Sequence, residues 1–272
     1  MKNDKQTVIP AKAFLSCKTV EILKLPDTVE VVEDWAFAHA KNLRELWLPA
    51  KELRIGRKVF LGCDSLERIV FTNRKEGEIY EGISLFLGCA ARLFPEDLSS
   101  KLFERLREAG DPALQWDWIA AYDEALETFI NRPDEEGFVP AFIGWFDVED
   151  VDDQKQGFIR RHCMDKLFVA FQRLLYEAGL TEQTKHSLEQ YLSARDEILI
   201  DLFTEDSHYR DDIRFYKKWK ASGGLNGESA GLLMDRQAEK GLETDPEIKG
   251  FLIECRMEGK NVEEDFFADF DL

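Results

Sequence analysis

The residues with the strongest claim to chemistry are GESAG at 227–231. The G-x-S-x-G spacing is that of a nucleophile elbow, in which a serine is presented on a sharp strand-to-helix turn. An elbow needs an apolar strand before it, and KKWKASGGLN (217–226) is not one. It also needs an acid and then a histidine further along the chain, yet no histidine follows His208. Ser229 is therefore expected to be the N-cap of a helix over 230–240. SGGLNG (222–227) lacks the lysine of a phosphate loop and the spacing of a dinucleotide fingerprint, so it reads as a hinge or linker. DVEDVDD (147–153) is rich in carboxylates but has no glycine at the sixth place of a calcium loop, and reads as the solvated start of a helix. Glu205 and His208 form half of a di-iron motif with no second half. His39, His162 and His186 have no ligand spacing. No catalytic residue, metal ligand or cofactor site is expected, and the chain reads as a non-enzyme.

Five cysteines remain: Cys17, Cys63, Cys89, Cys163 and Cys255. The number is odd and no CxxC pair occurs, which points to a reducing compartment rather than a disulfide framework. Three of them end near-identical words, FLSC (14–17), FLGC (60–63) and FLGC (86–89). The words belong to a longer pattern. Stepping by 23 residues, Phe14 meets Phe37 and Phe60, and Cys17 meets Ala40 and Cys63. Val20 meets Leu43 and Leu66, Leu23 meets Leu46 and Ile69, and Ile9 meets Val32 and Ile55. A fixed period of this length with L-x-x-L-x-L spacing is the mark of a leucine-rich solenoid, in which no coil can bury its apolar side alone.

The units AFLSCKTVEILKLP (13–26), AFAHAKNLRELWLP (36–49) and VFLGCDSLERIVF (59–71) resemble the bacterial leucine-rich repeat class called BspA-like. The resemblance implies about three to four stacked coils over residues 8–93, with a degenerate coil reaching Cys89. Members of that class usually carry many more units and a secretion signal. MKNDKQTVIP has no apolar leader segment, so a cytoplasmic protein is expected here rather than an adhesin.

Stacking has consequences for individual side chains. The phenylalanines should form an internal ladder, as should Cys17, Ala40 and Cys63. Coils lie ~4.8 Å apart, so Cys17 and Cys63 should be about 10 Å apart, beyond disulfide reach. Only Cys63 and Cys89 are expected to approach, and the bland role of a buried thiol as an apolar filler is preferred. In LRELWLP the period of two turns Leu46 and Leu48 inward and Glu45 and Trp47 outward. The outward positions form two rows: Ile22, Glu45, Arg68 and Lys24, Trp47, Val70. A tryptophan among aliphatic and charged neighbours has the composition of a binding hot spot.

From Phe94 the periodicity becomes helical. Helices are expected over 95–110, 112–131, 152–178, 182–193, 195–205, 207–221, 229–240 and 245–258. Thr181 and the Asp-Pro pairs at 111–112 and 245–246 are the expected caps. FVPAFIGWF (138–146) is too short and interrupted for a helix, and residues 261–272 read as an acidic, aromatic tail. The last helices are loosely similar to ankyrin-type pairs, without a strict period. A solenoid this short exposes an apolar end, and the helix over 95–110 is expected to close it.

Charge divides along the same line. Residues 1–94 carry a net +2 and residues 95–272 a net −20. So acidic a body repels phosphate backbones, which excludes nucleic acid, and no apolar run of ~18 residues exists to span a membrane. The reading is α+β: a short leucine-rich solenoid (8–93), then an all-α domain (94–260), bundle or α-solenoid. Its expected work is protein–protein recognition on the open strand face. The alternatives are a hydrolase housed in the helices and a secreted adhesin whose signal was removed.

Overall fold

The computed structural model describes residues 7–49, 53–71, 78–108, 115–139 and 148–268. Six strands come first: β1 (Thr7–Ile9), β2 (Ile22–Lys24), β3 (Val29–Val32), β4 (Glu45–Leu48), β5 (Arg54–Ile55) and β6 (Arg68–Phe71). They form two parallel sheets, sheet A in the order β1-β3-β5 and sheet B in the order β2-β4-β6. Each coil therefore gives one strand to each sheet, and the described residues hold three coils.

Between the two strands of a coil lies a tight corner with a fixed backbone recipe. Lys12, Trp35 and Lys58 have φ of 61°, 62° and 53°; four residues later Ser16, His39 and Gly62 have φ of 57°, 57° and 67°. Left-handed backbone costs a residue with a Cβ about 1 kcal/mol or more. What holds it is the hydrogen bonding between corners. The N–H groups of Lys12, Phe14 and Ser16 donate to the carbonyls of Asp34, Ala36 and Ala38, and those of Trp35, Phe37 and His39 to Arg57, Val59 and Leu61, all at 2.7–3.2 Å.

The interior is the stacked ladder that the 23-residue period demands. Phe14 and Phe37 have ring centroids 5.2 Å apart, and Phe37 and Phe60 6.1 Å apart, both stacked. Ala40, Leu43, Leu46, Cys63, Leu66 and Ile69 are buried beside them. In coil 1 the equivalent Phe14, Cys17, Val20 and Leu23 are only half-buried.

The far end of the repeat is closed by helices. The sequence expectation of a coil reaching Cys89 is corrected here: the third FLGC word lies inside α1 (Glu78–Leu93). The reason is its company. Ile83, Phe86, Leu87 and Ala90 recur at helical spacing and are all buried. α1 lies against β6, and a Cβ on Gly88 would strike the Glu67 carbonyl, so glycine is what allows helix and coil to touch. α2 (Glu96–Glu108) sets Phe103 against Phe60, centroids 5.4 Å apart, and so extends the ladder by one ring. The expected closing helix is thus present, with α1 as a second closure. α3 (Gln115–Asn131) completes this part with Tyr122, which stacks on Phe86 and Phe94 at 4.7 and 5.4 Å.

By contact the chain divides into residues 1–131 with 176–180, and 132–175 with 181–272. The compact unit that holds the coils therefore runs past residue 93, the boundary expected from the sequence, and includes α1 to α3. The second unit contains α4 (Val148–Leu175), α5 (Glu182–Ser193), α6 (Asp196–Glu205), α7 (Ser207–Arg210), α8 (Ile213–Ala221), α9 (Gly227–Glu239) and α10 (Pro246–Ala268). Its centre is aromatic: Phe203 stacks on Trp219 at 5.2 Å and meets Tyr216 edge-on at 4.5 Å. Thr181 caps α5 as expected, accepting from the Thr184 N–H. The expected helix over 207–221 is broken into α7 and α8, because Asp212 turns its carboxylate to the Arg214 N–H and caps a new helix. The expected tail from residue 261 is corrected over its described part: α10 continues to Ala268. The Asp-Pro cap at 111–112 and the apolar run over 140–146 lie outside the described residues.

Two outcomes follow for urea unfolding of the coil-bearing unit. Phe37→Ala should cost about 3–5 kcal/mol, the usual range for a buried phenylalanine, whereas Phe14→Ala at the open end should cost less than half as much. Gly88→Ala should lose about 1–3 kcal/mol through overpacking against Glu67. Equal costs for the two phenylalanines, or an unchanged Gly88→Ala midpoint, would contradict the burial gradient and the helix–coil contact respectively.

Candidate functional site

The face of sheet B that turns away from the ladder is built by strand parity. Leu23, Leu46 and Ile69 point inward, so their neighbours along each strand point out. The register places Ile22 opposite Glu45 and Glu45 opposite Arg68, and Lys24 opposite Trp47 and Trp47 opposite Val70. All six residues singled out from the sequence thus share one face, in the two rows expected.

Trp47 is the centre of that face. It is half-buried, its ring lies under the Lys24 ammonium at 4.0 Å, and its indole N–H donates to the Glu45 carboxylate. A cation over an indole that is still open to solvent on one side contributes about 0.5–1 kcal/mol, enough to bias one ring orientation. Ile22 is 59% exposed, the most open apolar side chain of the three strands. Along the border of the face, Arg44 holds Glu67 through Nε and Nη2 at 3.1 and 2.9 Å. Asn42 donates to the Lys18 carbonyl at 2.7 Å and ties coil 2 to coil 1.

A second feature escaped the sequence. A cavity of about 350 Å³ opens between the corner of coil 3 and α2, with Phe60 and Phe103 in its wall and Ser99 and Ser100 beside them. Four of its charged residues are paired with one another. Arg57 meets Asp34 at 3.2 Å and Lys58 approaches Glu96 at 4.0 Å. The Arg57 N–H and guanidinium hold the Asp34 carboxyl below its usual range. Gly56 and Gly62 flank this corner, but nothing in the sequence says that α2 docks there.

The other residues with possible chemistry have structural posts. Ser229 is not the N-cap of α9; Asn226 is, and Ser229 sits at the third helical position, closing a capping box with it. The Ser229 Oγ accepts from the Asn226 N–H at 2.8 Å and donates to the Gly224 carbonyl at 2.9 Å. The segment over 222–227, expected to be a hinge, is a packed turn in which Leu225 is buried. Glu205 pairs with Arg160 and Lys240, while the His208 ring packs on Phe168, Tyr209 and Phe215. No group of three or more His, Cys, Asp or Glu side chains that could hold a metal ion occurs among the described residues.

The five thiols are free. Burial pushes Cys63 up to about 11 and Cys89 up to about 12, and Cys63 donates to the Phe37 carbonyl. Buried and protonated, both are apolar fillers, Cys63 inside a coil and Cys89 inside α1. Cys17 departs from them: it is half-buried at the open end, and the Thr19 hydroxyl at 3.5 Å lowers its pKa.

Neither the curated proteins nor the solved structures contain a match to the chain. Residues 3–90 match the family described as BspA type Leucine rich repeat region (6 copies). With its three coils, its two parallel sheets and its 23-residue ladder, this part of the chain is a BspA-type leucine-rich repeat region, followed by helices to which no family is assigned.

Proposed function

We propose that the protein is a non-catalytic recognition module that binds another protein on the outward face of sheet B, through Ile22, Lys24, Glu45, Trp47, Arg68 and Val70. Leucine-rich repeats are commonly protein-binding. The observation that carries the assignment to this face is Trp47, pinned between Lys24 and Glu45 and flanked by the exposed Ile22. A large, pre-positioned aromatic side chain loses little rotamer freedom on binding, which is what a hot spot needs.

Two further points fit the reading. The net charge of −18 disfavours nucleic acid as the partner. Five free thiols suit a reducing compartment, so a cytoplasmic partner is the natural choice. No described helix is long and apolar enough to cross a membrane.

The test uses a photo-crosslinking amino acid at Ile22 or Val70, with one at Lys249 in α10 as control. Adducts with a discrete partner should form from the first two positions and not from the third. Trp47→Ala should remove them, as expected for a hot-spot loss of 2 kcal/mol or more, about 30-fold in affinity. Its melting temperature should stay within about 2 °C of the parent. A Trp47→Ala protein that melts lower and keeps its adducts would show that the tryptophan serves packing alone.

A further inference from the structure

The open end of coil 1 is a different surface from the face of sheet B, and three independent features of it point to one kind of occupant. The first is apolar exposure. Phe14, Cys17, Val20 and Leu23 are half-buried where their equivalents in coils 2 and 3 are buried, and Leu15 is 40% exposed.

The second is hydrogen-bond polarity. Every corner-to-corner bond donates from an earlier coil to a later one. The carbonyls of coil 1 equivalent to the acceptors Asp34, Ala36 and Ala38 are those of Ala11, Ala13 and Leu15. They face the open end, and no described residue donates to them. On either side of β2 the Glu21 carbonyl and the Leu25 N–H are used toward coil 2. The alternate residues Ile22 and Lys24 therefore turn their N–H and C=O groups to the open edge.

The third is charge. Residues 7–26 carry Lys12, Lys18 and Lys24 against Glu21 alone. Lys12 and Lys18 have no ion pair among the described residues. Between coils 2 and 3 charged residues one period apart pair with opposite sign: Lys41, at the position of Lys18, with Asp64, and elsewhere Arg44 with Glu67 and Asp34 with Arg57.

We propose that the open end of coil 1 binds an extended acidic segment of another polypeptide. The segment adds along the open edge of β2, its backbone pairing with the N–H and C=O groups of Ile22 and Lys24, its carboxylates at Lys12 and Lys18, and its apolar side chains over Phe14, Val20 and Leu23. A second copy of this chain does not fit. End to end it would set carbonyls on carbonyls and lysines against lysines; end to tail it meets α1 and α2, which already cover coil 3.

Cys17 lies within this surface and is the one thiol of the five that is not buried, so it reports on coverage. The experiment follows its alkylation by iodoacetamide, read by intact mass, on the full chain. The probe is a capped heptapeptide alternating glutamate with valine or leucine; the control replaces glutamate with lysine. Alkylation should slow at least about fivefold with the acidic peptide and less than about twofold with the basic one. Lys12→Glu together with Lys18→Glu should raise the protecting concentration about tenfold, while Lys249→Glu in α10 leaves it unchanged. Equal protection by the lysine peptide, or none at millimolar acidic peptide, would overturn the proposal. So would slowing by raised protein concentration alone, which would mean a second copy, or a thiol that reacts only after residues 1–6 are removed, which would mean the chain covers itself.

Discussion

The bond from one corner to the next is the constraint on which the rest of the coil-bearing unit stands. Each corner contains two residues in left-handed backbone, five of the six with a Cβ that resists it. A single corner would not keep that geometry. Its N–H groups gain partners only when the next coil presents carbonyls at the right height, and those carbonyls are presented by a corner of the same shape. The phenylalanine ladder supplies the free energy, but the hydrogen bonds set its pitch. From the pitch follow the in-register sheets, and from the sheets the two outward rows.

An array of this kind has unlike ends. The later end is closed by rings and helices: Phe103 finishes the ladder and Gly88 lets α1 sit directly on the Glu67 backbone. The earlier end keeps its acceptors, its half-exposed ladder and its lysines. The later end thereby contributes stability, while the earlier end leaves the surface proposed for an extended acidic segment. Terminal repeats are where such arrays are weakest, and also where surface remains that the array itself does not use.

Much of this was legible in the sequence, for a physical reason. Residues 23 apart stack on one another, so the identity of Phe14, Phe37 and Phe60 reports a contact that is local in space though distant in sequence. The same arithmetic gave the register of Ile22, Glu45 and Arg68. Sheet A was harder to see, because β5 is only Arg54–Ile55 and carries a charged residue. The FLGC of 86–89 misled because four residues suit a coil corner and a helix equally. What decides is Ile83 and Ala90, three or four residues away. Ser229 was placed three positions too early in its role because Asn226 is itself a good cap. The links from Lys24 and Glu45 to the Trp47 ring were invisible, since the sequence gives the rows but not the rotamers. The cavity beside Phe103 depends on how α2 docks, which no periodicity encodes.

The paired left-handed residues also govern how a molecule of this design can change its size. A residue inserted between Lys12 and Ser16, or at the same place in the later coils, would put every following carbonyl out of step with its donor. Corners therefore tolerate substitution far better than insertion or deletion. Length can vary only in whole units of 23 residues, by duplicating a complete turn that brings its own donors and acceptors. Such a chain grows as a stair does, by adding steps of one height, and its outward rows lengthen without altering their spacing.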